Sequence, residues 1–145
     1  MARPGEEERF ERFNPLTSAI IGAAMRVHDE LGPGLYEEVY QKCMEVELRE
    51  QRLAYRPQVP LPVTYRGEQV AEEGYKLDLL VEEIIIVELK SVEAIVPRHK
   101  KQLATYLKLA DKPLALLINF NVDLLRGGIF RIINPRWEPV RGAQQ

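Results

Sequence analysis

Tyr75-Lys76-Leu77-Asp78-Leu79-Leu80-Val81-Glu82-Glu83-Ile84-Ile85-Ile86-Val87-Glu88-Leu89-Lys90 reads as two strands joined through Glu82-Glu83. Val81 and the Ile84–Val87 run carry the β-branched, apolar signal of a central strand. Asp78, Glu88 and Lys90 interrupt that signal, and burying a charge is expensive unless it is paired or bound to metal. Glu88 and Lys90 are two apart, so on a strand they share one face while Val87 and Leu89 take the other. A strict two-residue loop would set Asp78 opposite Val87 and put the two carboxylates on opposite faces. A three-residue loop or one bulge sets Asp78 opposite Glu88. Convergence of the carboxylates therefore demands an irregular turn.

On either side of this hairpin the chain alternates helical and strand patterns. Asn14-Pro15 signals a helix start, and Leu16, Ala19, Ile20, Ala23, Ala24, Val27 and Leu31 keep helical spacing up to Gly32-Pro33-Gly34. A second helix is predicted over roughly Leu35 to Gln51, with Leu35, Val39, Cys43 and Val46 as one stripe and Glu37, Tyr40 and Met44 as a neighbouring one. Val59, Leu61, Val63 and Tyr65 alternate as a strand, which Pro60 and Pro62 confine to an edge or an irregular path. Pro97 to Ala110 reads as a third helix, Leu114–Asn119 as a buried strand and Ile129–Ile133 as a last strand after Gly127-Gly128. The expected fold is a mixed α/β (α+β) arrangement, a central sheet flanked by helices. Met1–Phe13 is expected to be a polar tail, residues 14–134 a single domain, and Pro135–Gln145 a loose end.

Composition limits the functional classes. The chain has 145 residues, enough for one domain with a real core. A single cysteine, Cys43, excludes an internal disulfide and a four-cysteine iron–sulfur cluster, fits a reducing cytoplasm and is expected to be core. No apolar run approaches the roughly 20 residues of a membrane span. Met1–Arg12 lacks the apolar segment of a signal peptide, so a cytoplasmic location is expected. The net charge of −2 does not advertise a nucleic-acid binder, so such binding would need a local patch.

Converging Asp78 and Glu88 would offer hard oxygen ligands for Mg²⁺ or Mn²⁺. Lys90 beside them would orient or help deprotonate a metal-bound water, or stabilise charge on a phosphate. The competing structural reading is a strand-end salt bridge from Lys90 to Glu88 or Asp78. Gln102 and Tyr106, at i and i+4 on the third helix, share a face and could simply be a solvated pair. Glu37 alone could be a surface glutamate.

Together these residues resemble a known group. Gly34-Leu35-Tyr36-Glu37-Glu38-Val39-Tyr40 is similar to the signature of the bacterial GxxExxY proteins, grouped with the PD-(D/E)xK nuclease superfamily near its RecB-like and lambda-exonuclease-like branches. The resemblance runs from about Leu16 to Asn134 and includes Asp78…Glu88-Leu89-Lys90, Gln102…Tyr106 and Leu117-Ile118-Asn119-Phe120. It implies a restriction-endonuclease-like core and metal-dependent hydrolysis of phosphodiesters, DNA favoured. It further implies a Mg²⁺ or Mn²⁺ site made by Asp78 and Glu88 with Glu37 as a third acidic ligand, Lys90 as the catalytic lysine, and Gln102 and Tyr106 at the active site. Leu77 stands where the superfamily name has proline, a position the superfamily treats laxly. Some RecB-like nucleases use a helical histidine as a ligand; His28 is either that or a cap and packing residue.

Arg98, Lys100, Lys101 and Lys108 concentrate positive charge on the third helix and form the expected strip for phosphates, with a solvated helix face as the plain alternative. No aromatic-interleaved platform is visible in the sequence, so single-strand binding by stacking is not expected. A non-enzymatic alternative is a catalytically silent nuclease-like fold that binds nucleic acid or a partner or self-assembles; homo-oligomerisation stays open. Hydrolysis of another phosphoester is the third reading.

Overall fold

A computed structural model describes residues 6–139. Its elements are α1 (Glu6–Glu11), α2 (Asn14–Leu31), α3 (Glu37–Glu50), β1 (Tyr55–Tyr65), β2 (Glu68–Val81), β3 (Ile85–Lys90), α4 (Pro97–Ala110), β4 (Leu114–Asn119), a 3-10 turn (Leu125–Gly128) and β5 (Ile129–Ile133). The five strands form one mixed sheet in the order β1-β2-β3-β4-β5. Only β3 and β4 run parallel, and α4 makes the crossover between them.

Two apolar layers sandwich the sheet. Ile20, Ala23 and Ala24 of α2 and Tyr40, Met44 and Leu48 of α3 pack on Leu79, Val81, Ile85, Val87 and Leu89. Leu103, Tyr106 and Leu107 of α4 pack on Leu77, Leu80, Ile86, Ala115 and Leu117 of the other face. With both faces covered, β4 has no exposed residue, which is why Leu114–Asn119 reads as an unbroken apolar run. This is the expected α+β core.

The β2–β3 turn carries the irregularity that the sequence demanded. Val81 pairs with Ile85, leaving a connection of Glu82, Glu83 and Ile84. Ile84 N–H donates to the Val81 carbonyl at 3.0 Å, and Glu82 and Glu83 both hold positive φ, 54° and 57°. Ile84 is the additional residue. Other contacts fix this strained turn: Ala54 N–H donates to the Glu82 carboxylate at 2.6 Å, and Arg56 grips Glu83 with two hydrogen bonds of 2.6 and 2.8 Å.

Three local expectations change. Residues 6–11, expected in a polar tail, form α1, and Phe10 and Phe13 are buried against Trp137 of the expected loose end. Met1–Gly5 and residues 140–145 lie outside the described residues. The second helix starts at Glu37 rather than Leu35; of its expected stripe, Leu35, Val39 and Val46 are exposed and Cys43 only half-buried, and the neighbouring stripe with Tyr40 and Met44 faces the core. Tyr40 has more to fill than Val39, so the helix turns its larger apolar side inward.

Candidate active site

The site lies where the β2–β3 pairing stops. The last paired residues are Leu79 and Val87. One step beyond, Asp78 N–H donates to Glu88 Oε1 at 3.0 Å, and Leu89 N–H donates to Asp78 Oδ2 at 2.9 Å. The two carboxylates have replaced ladder carbonyls as acceptors, so the strands part while their backbone donors stay satisfied. Asp78 and Glu88 thus face each other across the hairpin, as the three-residue connection requires.

Burial and mutual charge dominate the pair. Glu88 is only 8% exposed. Burial, then the Asp78 carboxylate, pushes its pKa up to about 8, against the opposing pull of the Asp78 N–H and Lys90. Burial also raises the Asp78 pKa, although the Leu89 N–H, Gln58 and Lys90 favour its charged form.

Glu37 comes from the first turn of α3. Gly34, at φ +104°, takes a backbone conformation that residues with a Cβ rarely adopt. It turns the chain so that the Leu35 carbonyl accepts from Ser91 Oγ at 2.6 Å, one residue after Lys90. Tyr40, the last residue of the same segment, donates from its hydroxyl to the Gly32 carbonyl at 2.6 Å and accepts from Leu35 N–H at 3.2 Å. Its ring stacks on Phe120 at 4.3 Å. Gly34, Tyr40 and Ser91 therefore set Glu37 against the end of β3. Partial burial raises the pKa of Glu37, with Lys90 opposing and Asp78 adding to the shift.

Lys90 is half-buried on the face it shares with Glu88. Among the described residues no ion pair joins it to Asp78 or Glu88, so the strand-end salt bridge is absent. Tyr106 is buried on α4 at 7% exposure. Burial first, then the charge of Glu88, pushes its pKa up to about 12. Gln102 is exposed one turn earlier on the same helix.

The remaining expectations separate. His28 Nε2 lies 2.7 Å from the Val122 carbonyl oxygen. A carbonyl only accepts, so Nε2 carries the proton; the bond tethers α2 to the loop after β4 and leaves Nδ1 as the ring's one lone-pair nitrogen. Arg98 and Lys101 are exposed on the first turns of α4. Burial and then the charges of Lys90 and Arg98 shift the pKa of His99 downward, so Arg98 and Lys90 both lie within electrostatic range of His99. Lys100 instead stands over the Phe130 ring at 4.2 Å. Lys108 lies one turn from Lys112, whose Nζ reaches the Glu83 carbonyl at the opposite end of the hairpin.

Two glutamines escaped the sequence reading. Gln58 Nε2 donates to Gln41 Oε1 at 2.7 Å and to Asp78 Oδ1 at 3.3 Å, and Gln41 Nε2 donates to Glu45 at 3.3 Å. Gln58 has φ +50° inside β1. Around it both strands change face: Tyr55 packs on the α2–α3 side but Val59 and Leu61 on the α4 side, and Leu79 and Leu77 divide likewise. The prolines flanking Gln58 signalled an irregular strand; Gln41, at i+4 from Glu37, shares its helix face.

Among the described residues no three His, Cys, Asp or Glu side chains are gathered closely enough to form a metal centre. The expected three-acid set is thus not assembled, because Glu37 stays in electrostatic range without converging. The donor chemistry of Asp78 and Glu88 nevertheless fits a hard divalent cation. Both are carboxylates, and both hold their protons more tightly because burial outweighs the pull of Lys90 on each.

No curated protein and no solved structure matches the chain. The family model of the PD-(D/E)XK nuclease superfamily matches residues 14–132, which takes in α2 through β4, all of β5 but Ile133, and every residue of the acidic cluster. The chain belongs to the PD-(D/E)XK nuclease superfamily.

Proposed function

We propose that the protein is a divalent-metal-dependent nuclease that hydrolyses phosphodiester bonds in DNA. The observation that carries this is the pair of crossed hydrogen bonds at the splayed end of β2 and β3, Asp78 N–H to the Glu88 carboxylate and Leu89 N–H to the Asp78 carboxylate, with the ammonium of Lys90 beside them and unpaired among the described residues. The Gly34–Tyr40 segment and the Gln102/Tyr106 pair support membership of the GxxExxY group near the RecB-like branch.

Asp78 and Glu88 would hold Mg²⁺ or Mn²⁺, with Glu37 drawn in as a third carboxylate. Such an ion supplies Lewis acidity to the attacking water and the phosphate oxygens. Lys90 orients the water and offsets the charge that builds on the phosphoryl group. Water oxygen bonds to phosphorus, the ester bond breaks, the leaving alkoxide takes a proton, and the proton of the attacking water passes to solvent. The Tyr106 hydroxyl, held protonated, acts as a donor, and Gln102 meets the substrate from the same helix. Arg98 and Lys101 hold the flanking phosphates; Lys100 and Lys108 contribute less, since one is committed to Phe130 and the other lies towards the far end of α4.

The test is cleavage of single- and double-stranded DNA and RNA in Mg²⁺ or Mn²⁺. Wild-type protein is expected to cut DNA, and Lys90→Ala to lose roughly 10²–10³-fold in rate with its fold intact. A protein that cuts nothing, or a Lys90→Ala preparation that cuts equally well, refutes the reading. Salt-dependent DNA binding that survives Asp78→Ala and Glu88→Ala without metal would favour a silent binding fold.

A further inference from the structure

Two aromatic rings that the sequence sets 31 positions apart, Tyr75 and Tyr106, meet beside the acidic cluster. Tyr75 stands three residues before Asp78 on β2 and is 43% exposed. Its ring leans on that of Tyr106, with centroids 5.4 Å apart and planes at 47°. Tyr106 is itself buried among Leu77, Leu103 and Leu107, so the exposed ring is braced by a fixed one. Tyr75 is two residues from Leu77, which packs on the α4 side of the sheet, the side to which Glu88 and Lys90 also point. On α3's approach to the site, Tyr36 immediately precedes Glu37 and is 79% exposed. The neighbouring Leu35 carbonyl is pinned by Ser91, so this ring too leaves from an anchored backbone.

A large aromatic that is exposed, and also rigid, is an unusual surface feature. Hydrophobic burial would draw it inward, and a solvated loop would leave it mobile. We propose that Tyr75, seated on Tyr106, is a stacking subsite for an unpaired nucleobase beside the scissile phosphate, with Tyr36 as a second contact at the start of α3, so that the site takes single-stranded DNA. In a duplex the base faces are already stacked on one another and cannot lie on Tyr75. An unpaired base can, and each such stack is worth roughly 5- to 150-fold in affinity. The charge around the site agrees with this division. Among the described residues, Arg98 and Lys90 are the cations whose charge reaches His99 at the start of α4, a short phosphate track and too little for the many contacts that hold a duplex without base stacking. This inference rests on the nuclease reading of the same site, and it names the substrate form.

The experiment measures the affinity of the full chain for a labelled oligothymidylate and for a blunt duplex of equal length, by fluorescence anisotropy in chelator at low salt. Wild-type protein is expected to prefer the single strand. Tyr75→Ala should lose roughly 5- to 150-fold on the single strand and nothing on the duplex, while Tyr75→Phe keeps the ring and the affinity. Tyr36→Ala, which removes an exposed ring with no packing role, should weaken single-strand binding without shifting the melting temperature. Tyr75→Ala binding like wild type, equal losses on both substrates, or no single-strand binding by wild type would overturn the proposal. Cleavage is read separately. Duplex cutting that ignores Tyr75→Ala refutes the stacking subsite and leaves the nuclease. Single-strand binding that depends on Tyr75, without any cleavage, refutes the nuclease and leaves the subsite.

Discussion

Glu88 carries the sharpest consequence at the scale of single residues. Its pKa is about 8 in the folded chain, against an ordinary 4.5. Between those two values the folded protein binds more protons than the unfolded one, so stability falls as pH rises through the window and levels off above it. In chelator, urea unfolding should therefore show a decline from pH 5 to pH 8, on the order of a few kcal/mol. Glu88→Gln removes the charge that cannot be solvated, so the variant should be more stable than wild type at pH 8 and close to it near pH 4.5. Divalent cation should recover stability at pH 8 far more than at pH 5, because at pH 5 the proton already occupies the carboxylate. A flat wild-type profile would mean that Glu88 is not held as an uncompensated buried acid. Glu37 follows the same direction, but its exposure lets water screen it, so its share is small.

Among the elements, the paired kink of β1 and β2 is what aims Asp78. Gln58 sits in a left-handed conformation that costs a non-glycine residue about 1–3 kcal/mol, and its amide holds both Gln41 and Asp78. Backbone and side chain can be separated. Gln58→Gly relieves the strained φ and deletes the amide, so its melting temperature should hold or rise while cleavage falls roughly tenfold. Gln58→Ala keeps the strain and should lose both. If Gln58→Gly cleaves like wild type, the amide does not position Asp78. Much of this level was legible beforehand. Residues 97–110, 114–119 and 129–133 follow from periodicity with their bounds intact, since each has a clear apolar pattern and a Pro or Gly stop. The demand for an extra residue at Glu82-Glu83-Ile84 also follows, because side-chain parity is a local property of a strand. The Gln58–Gln41–Glu45 chain does not follow. It joins α3 to β1 through amides whose types are common on surfaces, and only the packing of one element on another makes them neighbours. The contact of Tyr75 with Tyr106 escaped for the same reason: 31 positions apart, they meet only once α4 crosses the sheet.

At the scale of the whole molecule, the two ends of the described chain close against each other. Phe10 and Phe13 meet Trp137 at 6.2 and 5.5 Å, Arg9 donates to the Pro135 carbonyl at 2.9 Å, and Arg131 of β5 reaches the Phe10 carbonyl at 3.4 Å. The charged residues around Phe10 give the stretch a polar average, and averages hide a single anchoring ring; hence the expectation of a tail. A tail and a core strap differ in what one substitution does. Phe10 is 1% exposed in the same apolar layer as α2, α3 and the sheet. Phe10→Ala should therefore cost about 3–5 kcal/mol, the range for emptying a buried phenylalanine, and lower the melting temperature by roughly 10 °C in a domain of this size. An unanchored residue would change stability by less than about 0.5 kcal/mol. The lesion also discriminates by place. Phe10 contacts Trp137, which with Phe13 lines a cavity beside Glu83 and Ile84 at the turn end of β2 and β3, whereas Asp78, Glu88 and Lys90 sit at the open end, so cleavage assayed well below the lowered melting temperature should stay at the wild-type rate. Loss of stability together with loss of low-temperature activity would show that the strap reaches the catalytic end; unchanged stability would return residues 6–13 to the status of a tail.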